Sequence, residues 1–128
     1  MQGTRPDLAF SVSLLSRFLT KPTKSIEALM KGVLRYVQGS TAKGITYRRR
    51  KGNELLSIEA YTDSDFAGKH IRGDARSTSG YVMIMAGGAI SWSSKRQPGV
   101  LLNSSTHSEY RGQGYVTRHI VYLSMLMN

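Results

Sequence analysis

The sequence predicts an α+β protein: two helices, then several short antiparallel strands, then one more helix. Three observations carry that expectation. Apolar residues recur every three or four positions from Arg5 to Gln38, at every second position from Gly44 to about Ser94, and every three or four again from Ser104 onward. Helices and sheets bury their apolar faces against one another in layers, so this order implies a sheet covered on one face.

The first two elements form a helical hairpin. Leu8, Val12, Leu15 and Leu19 make one apolar stripe; after a break at Lys21 and Pro22, Ile26, Leu29, Val33 and Val37 make a second. Pro6 suits a first helical turn, Thr23 or Ser25 can cap the second helix, and Gly39 stands where helices commonly stop. The strands follow: Ile45 and Tyr47, then Leu56, Ile58, Ala60 and Thr62, then Tyr81, Met83 and Met85, then Ile90 and Trp92. Gly87 with Gly88 is the expected hairpin turn between the last two, because such turns demand positive backbone angles. In the final helix Ser104 and Thr106 are candidate caps, and Val116, Ile120, Leu123 and Met127 form the stripe. Gly112 and Gly114 interrupt it, each costing about 1 kcal/mol relative to alanine, so this helix should fray unless packing holds it. Trp92 and the tyrosines fall mostly on periodic apolar positions and are expected in the core.

Composition narrows the function. The chain has 128 residues, a size that suits one domain, and no cysteine. Disulfides, thiol nucleophiles and cysteine-based zinc sites are therefore excluded. No apolar run approaches the roughly 18 to 20 residues that span a bilayer, so no transmembrane segment is expected. The formal charge is +10, and residues 1–60 hold 11 basic and 4 acidic groups, which is +7 of it. Lys43, Arg48, Arg49, Arg50 and Lys51 form the densest cluster. They suit phosphate contact or a short nuclear-import tract, or simply an exposed loop.

Site chemistry must come from carboxylates, since His70, His107 and His119 are well separated. Asp63 and Asp65 stand two apart in one strand, where side chains share a face. Paired carboxylates in a basic chain suit a hard cation such as Mg²⁺, or they are ordinary surface acids. Glu109, early in the last helix, is a third candidate, and three carboxylates would begin to suit metal-assisted phosphodiester hydrolysis. The adjacent Ser104 to Glu109 run does not make a Ser/His hydrolase, because neighbours at a helix start cannot adopt triad geometry and Gly-x-Ser-x-Gly is absent.

Several motifs are specific. Thr4-Arg5-Pro6-Asp7-Leu8-Ala9-Phe10, Leu15-Ser16-Arg17-Phe18 and Val33-Leu34-Arg35-Tyr36-Val37-Gln38-Gly39 resemble the end of a copia-type retrotransposon reverse transcriptase. Tyr61-Thr62-Asp63-Ser64-Asp65-Phe66-Ala67-Gly68, Arg76-Ser77-Thr78-Ser79-Gly80-Tyr81, Gly88-Ala89-Ile90-Ser91-Trp92-Ser93-Ser94-Lys95-Arg96-Gln97 and Glu109-Tyr110 resemble the ribonuclease H domain that follows it. The resemblance implies a helical remnant of the reverse transcriptase over 1–50. Over 51–128 it implies a truncated ribonuclease H-like antiparallel sheet with one packed helix. It assigns Asp63 and Glu109 as ligands of Mg²⁺, leaves Asp65 open, and implies an RNA-DNA hybrid as the nucleic-acid partner.

Departures from that pattern shape the functional expectation. The family's third metal-binding Asp lies on a strand after the first helix, and the sequence ends at Asn128 before one. Arg111 and Gln113 stand where the family usually has apolar residues, and Gly112 and Gly114 replace better helix formers. A retrotransposon-derived fragment without nuclease activity is expected, with weak or absent Mg²⁺ binding. Two alternatives stand beside it. One is a residual Mg²⁺-dependent hybrid nuclease. The other is a domesticated basic binding or regulatory protein with an unknown protein partner, cytoplasmic or nuclear, or a secreted pathogen effector acting in a host nucleus. Gly32-Val33-Leu34-Arg35 is one residue from the Arg-x-Leu-Arg translocation motif of such effectors.

Overall fold

A computed structural model of the chain describes residues 4–48, 57–65, 76–98 and 105–127. A 3-10 turn over Pro6–Leu8 leads into helix α1 (Ala9–Ser16), and helix α2 follows (Lys24–Gly39). Strands β1 (Ile58–Asp65), β2 (Thr78–Met85) and β3 (Gly88–Arg96) come next, then the long helix α3 (Ser105–Met127). The strands form one antiparallel sheet in the order β1-β2-β3. The α+β expectation holds among the described residues.

Thr23 is the cap of α2: its Oγ1 accepts the Ile26 N–H at 3.3 Å, which satisfies one of the free amides at a helix start. The helix runs out at Gly39, as its position suggests. Helix α1 is shorter than its apolar stripe. It ends at Ser16 in turn structure over 17–20, and Leu19 lies beyond it, 79% exposed. Ile45 and Tyr47 do not form a strand. Instead the segment crosses the hairpin tip, where the Arg48 N–H donates to Ala86 O and the Tyr47 hydroxyl to Ala89 O.

The hairpin turn sits one residue earlier than expected. Ala86 and Gly87 carry the positive φ values, 53° and 77°, and Gly88 already belongs to β3. A shift in register follows at once, since Met83 faces Ser91 and Ile84 faces Ala89, leaving Ile90 as the extra residue of a bulge.

Both faces of the sheet are covered, not one. Helix α3 packs on β1 and β2, while α1 and the 3-10 turn pack on β3. Register and alternation assign the two faces. Thr62, Tyr81 and Ser93 lie side by side, as do Ser64, Ser79 and Lys95, on the face beneath α3. Tyr61, Val82 and Trp92, with Asp63, Gly80 and Ser94, belong to the face toward α1.

The core is small and partly polar. Among the described residues Leu8, Met83 and Val116 are the buried apolar side chains, with Met83 fully enclosed, and Ser40, Ser64, Ser77 and Gln97 are buried as well. Beneath α3 the Ser64 and Ser79 hydroxyls share a hydrogen bond of 2.9 Å, and the Gln97 Nε2 donates to Ser79 Oγ at 2.6 Å. These short side chains let the helix come close. A Cβ on Gly112 would lie 2.8 Å from Ser64 Oγ and 3.3 Å from Thr62 Oγ1, whereas one on Gly114 would meet nothing within 4 Å. Gly112 is thus the point where helix and sheet touch, not simply a weak helix residue.

Candidate functional site

Asp63, the first of the expected carboxylates, lies on the α1 side of the sheet. It lines a cavity of about 420 Å³ with Pro6, Phe10, Tyr61 and Trp92. Its Oδ1 accepts the Ser64 N–H at 2.8 Å. Asp65 is the last residue of β1, opposite Thr78. Glu109 is exposed on the early turns of α3, the helix that packs on the other face. The cleft beneath α3 is lined by Thr62 and not by Asp63. The physical reason is Gly112: by drawing α3 onto Thr62 and Ser64, it turns the odd-numbered positions of β1 away from the helix. Asp63 and Glu109 belong to elements on opposite sides of the sheet, and the described residues contain no cluster of three or more Asp, Glu or His suited to a metal ion.

The basic cluster is described only in part, because Arg49, Arg50 and Lys51 lie outside the described residues. Lys43 is exposed, with its Nζ 5.3 Å from the centre of the Tyr36 ring, a cation–π contact that leaves the charge at the surface. Arg48 is exposed as well. Gly32, Val33, Leu34 and Arg35 are all helical, in the middle of α2, with Leu34 60% exposed.

Near the start of the chain a polar latch ties the 3-10 turn to the end of α2. Arg5 donates to both carboxylate oxygens of Asp7, at 3.0 and 2.8 Å, and also to the carbonyl and hydroxyl of Ser40. The Tyr36 hydroxyl donates to Asp7 Oδ2 at 2.7 Å. The Arg5 hydrogen bonds, followed by that of Tyr36, hold the Asp7 carboxyl well below the usual carboxylate range. Ser40 is buried by this arrangement.

A second cleft, of about 510 Å³, lies between α3 and the sheet, and Lys95, Arg111, Arg118, Tyr81, Tyr110 and Tyr115 are among its lining residues. The expectation that the tyrosines fill the core is overturned here and elsewhere: Tyr47, Tyr61, Tyr110 and Tyr122 are each more than half exposed. Tyr115 packs between Tyr81 and His119, with ring centres 5.7 and 4.7 Å away. Sequence spacing does hold a signal for this cleft. Arg111 and Arg118 are seven apart, two helical turns, and so share a face; Lys95 alternates with Ser93 on the strand beneath.

Similarity to known proteins covers nearly the whole chain. It is 40% identical over 124 residues to the retrovirus-related Pol polyprotein from transposon RE1 of Arabidopsis thaliana, covering 97% of this chain and 8% of that protein. To the corresponding polyprotein from transposon TNT 1-94 of Nicotiana tabacum it is 36% identical over 127 residues, 99% of this chain and 9% of the relative. The chain thus spans less than a tenth of either polyprotein. It is also 39% identical over 125 residues to secreted RxLR effector protein 161 of Plasmopara viticola, covering 98% of this chain and 84% of that protein. No family model matches the chain. No solved structure matches it. No described helix is long and apolar enough to cross a membrane.

Proposed function

Because the chain belongs to the copia-type retrotransposon Pol polyproteins, we propose that it is the junction segment of such a polyprotein and acts as a scaffold, not a nuclease. In this reading residues 1–50 are the end of the reverse transcriptase and residues 51–128 the front of a ribonuclease H-like domain. One observation carries it: Asp63 faces α1 while Glu109 rides on the helix across the sheet. Metal-assisted phosphodiester cleavage needs carboxylates converging on the ions that clamp attacking and leaving oxygens. The packing of α1 on β3, with the Arg17 Nη2 donating to Thr78 Oγ1 at 3.2 Å, supports the scaffold role, because it joins the two parts into one unit.

The test is incubation of the purified chain with a labelled RNA-DNA hybrid and Mg²⁺. No cleavage above a metal-free control is expected. Turnover that disappears in Asp63→Asn and in Glu109→Gln would overturn the reading.

A second reading is favoured by the effector relative, of whose length the aligned segment covers 84%. In it the chain is a basic protein that binds a partner in the host cytoplasm or nucleus through Lys43, Arg48 and the cations that follow. Tagged chain expressed in the producing organism discriminates the two readings: export with nuclear accumulation in a host cell supports the second, and retention with hybrid binding supports the first.

A further inference from the structure

We infer that the cleft between α3 and the sheet is a binding site for a single nucleoside phosphate, with Lys95, Arg111 and Arg118 holding the phosphate and Tyr110 stacking on the base. The inference rests on this cleft alone and stands whether or not the scaffold reading does.

Lys95 projects from β3 on the face beneath α3, and Arg111 and Arg118 approach from the helix two turns apart, so cations enter the cleft from both walls. No acidic side chain is among the lining residues. Arg111 is already positioned, since its Nη1 donates to Pro98 O at 3.2 Å and keeps its remaining N–H groups available. Guanidinium and ammonium groups lining one cleft without a described counter-carboxylate favour a multiply charged oxyanion.

The aromatic groups decide the rest of the ligand. Tyr81 and Tyr115 are packed against each other, and both contact His119, which leaves them less open than Tyr110. Tyr110 is 77% exposed at the same cleft. Tyr110, the most exposed of the three rings, supplies a stacking platform, and stacking a base on an aromatic side chain is worth about 1–3 kcal/mol. A nucleic-acid strand would need a continuous groove with successive platforms. The cleft, lined by the sheet, α3 and Pro98, has a volume of about 510 Å³, within the range of small-molecule pockets.

The experiment is calorimetric titration of the full chain with ADP, adenosine, inorganic phosphate and a ten-nucleotide single-stranded RNA. ADP is expected to bind at one site, with adenosine and phosphate each weaker by at least about tenfold, since each lacks half of the recognition. Lys95→Glu and Arg118→Glu, both at exposed positions, should each weaken ADP by at least about tenfold. Tyr110→Ala should weaken it several-fold. Lys24→Glu, on α2, serves as the control and should leave ADP binding unchanged; circular dichroism confirms that each variant is folded. The inference is overturned if ADP does not bind the folded chain, if the cleft variants behave like Lys24→Glu, or if RNA binds and ADP fails to compete with it.

Discussion

At the scale of single residues, Asp7 sits at the centre of a polar latch. Its carboxylate takes two hydrogen bonds from Arg5 and one from Tyr36, and both it and Arg5 remain partly solvent-accessible. A carboxyl with a depressed pKa in the folded state stabilises that state fully above the ordinary carboxylate range, near pH 4. That contribution is lost as the pH falls from there toward the depressed value. Asp7→Asn should therefore flatten the acid limb of a plot of melting temperature against pH, while leaving the slope near neutrality unchanged. Parallel curves for the two proteins between about pH 2 and 7 would show that the latch adds no acid-dependent stability. None of this network was legible beforehand. Arg5 and Asp7 are neighbours in a recognisable motif, but their bonds to Ser40 and Tyr36 depend on how the chain returns from α2.

The elements were more readable than their edges. Apolar spacing located α2 and α3 and the alternating segments of β1, β2 and β3, because those periods are imposed by the geometry of helix and strand themselves. It failed where tertiary contact decides. Ile45 and Tyr47 alternate like a strand, yet their side chains lie against Gly88, where a Cβ would come within 3.0 Å of both. The turn moved to Ala86 and Gly87 because a two-residue loop fixes which pair takes the positive angles. The glycines of α3 show the same dependence and yield a paired test. Gly114→Ala meets no neighbour and gains helix propensity, so it should stabilise the chain by about 0.5–1 kcal/mol. Gly112→Ala gains the same propensity but drives a methyl into buried Ser64, whose hydroxyl is bonded to Ser79, and should destabilise by about 1–3 kcal/mol net. Chemical denaturation of both variants measures the opposite signs; equal shifts would remove Gly112 as the contact between helix and sheet.

At the scale of the whole molecule, the candidate carboxylates were legible as residues but not as an arrangement. A period of two states that Thr62 and Ser64 share one face and that Asp63 belongs to the other. It does not state which face a helix that begins at Ser105, far along the chain, will cover. That choice was made by Gly112 together with the small hydroxyl side chains beneath it, and it moves the basic and aromatic residues Lys95, Arg111, Arg118 and Tyr110 to the cleft that Asp63 does not reach. The same hydroxyl floor has a thermodynamic consequence. Exposure of apolar surface raises the heat capacity of unfolding, while exposure of polar surface lowers it. With a helix seated on Ser64, Ser79 and Gln97, and few apolar side chains fully enclosed among the described residues, the chain should unfold with a heat-capacity increment below the common value of about 12–15 cal/mol/K per residue. A small increment flattens the curve of stability against temperature. The fold would then hold whatever modest stability it has almost evenly from the cold to its melting point.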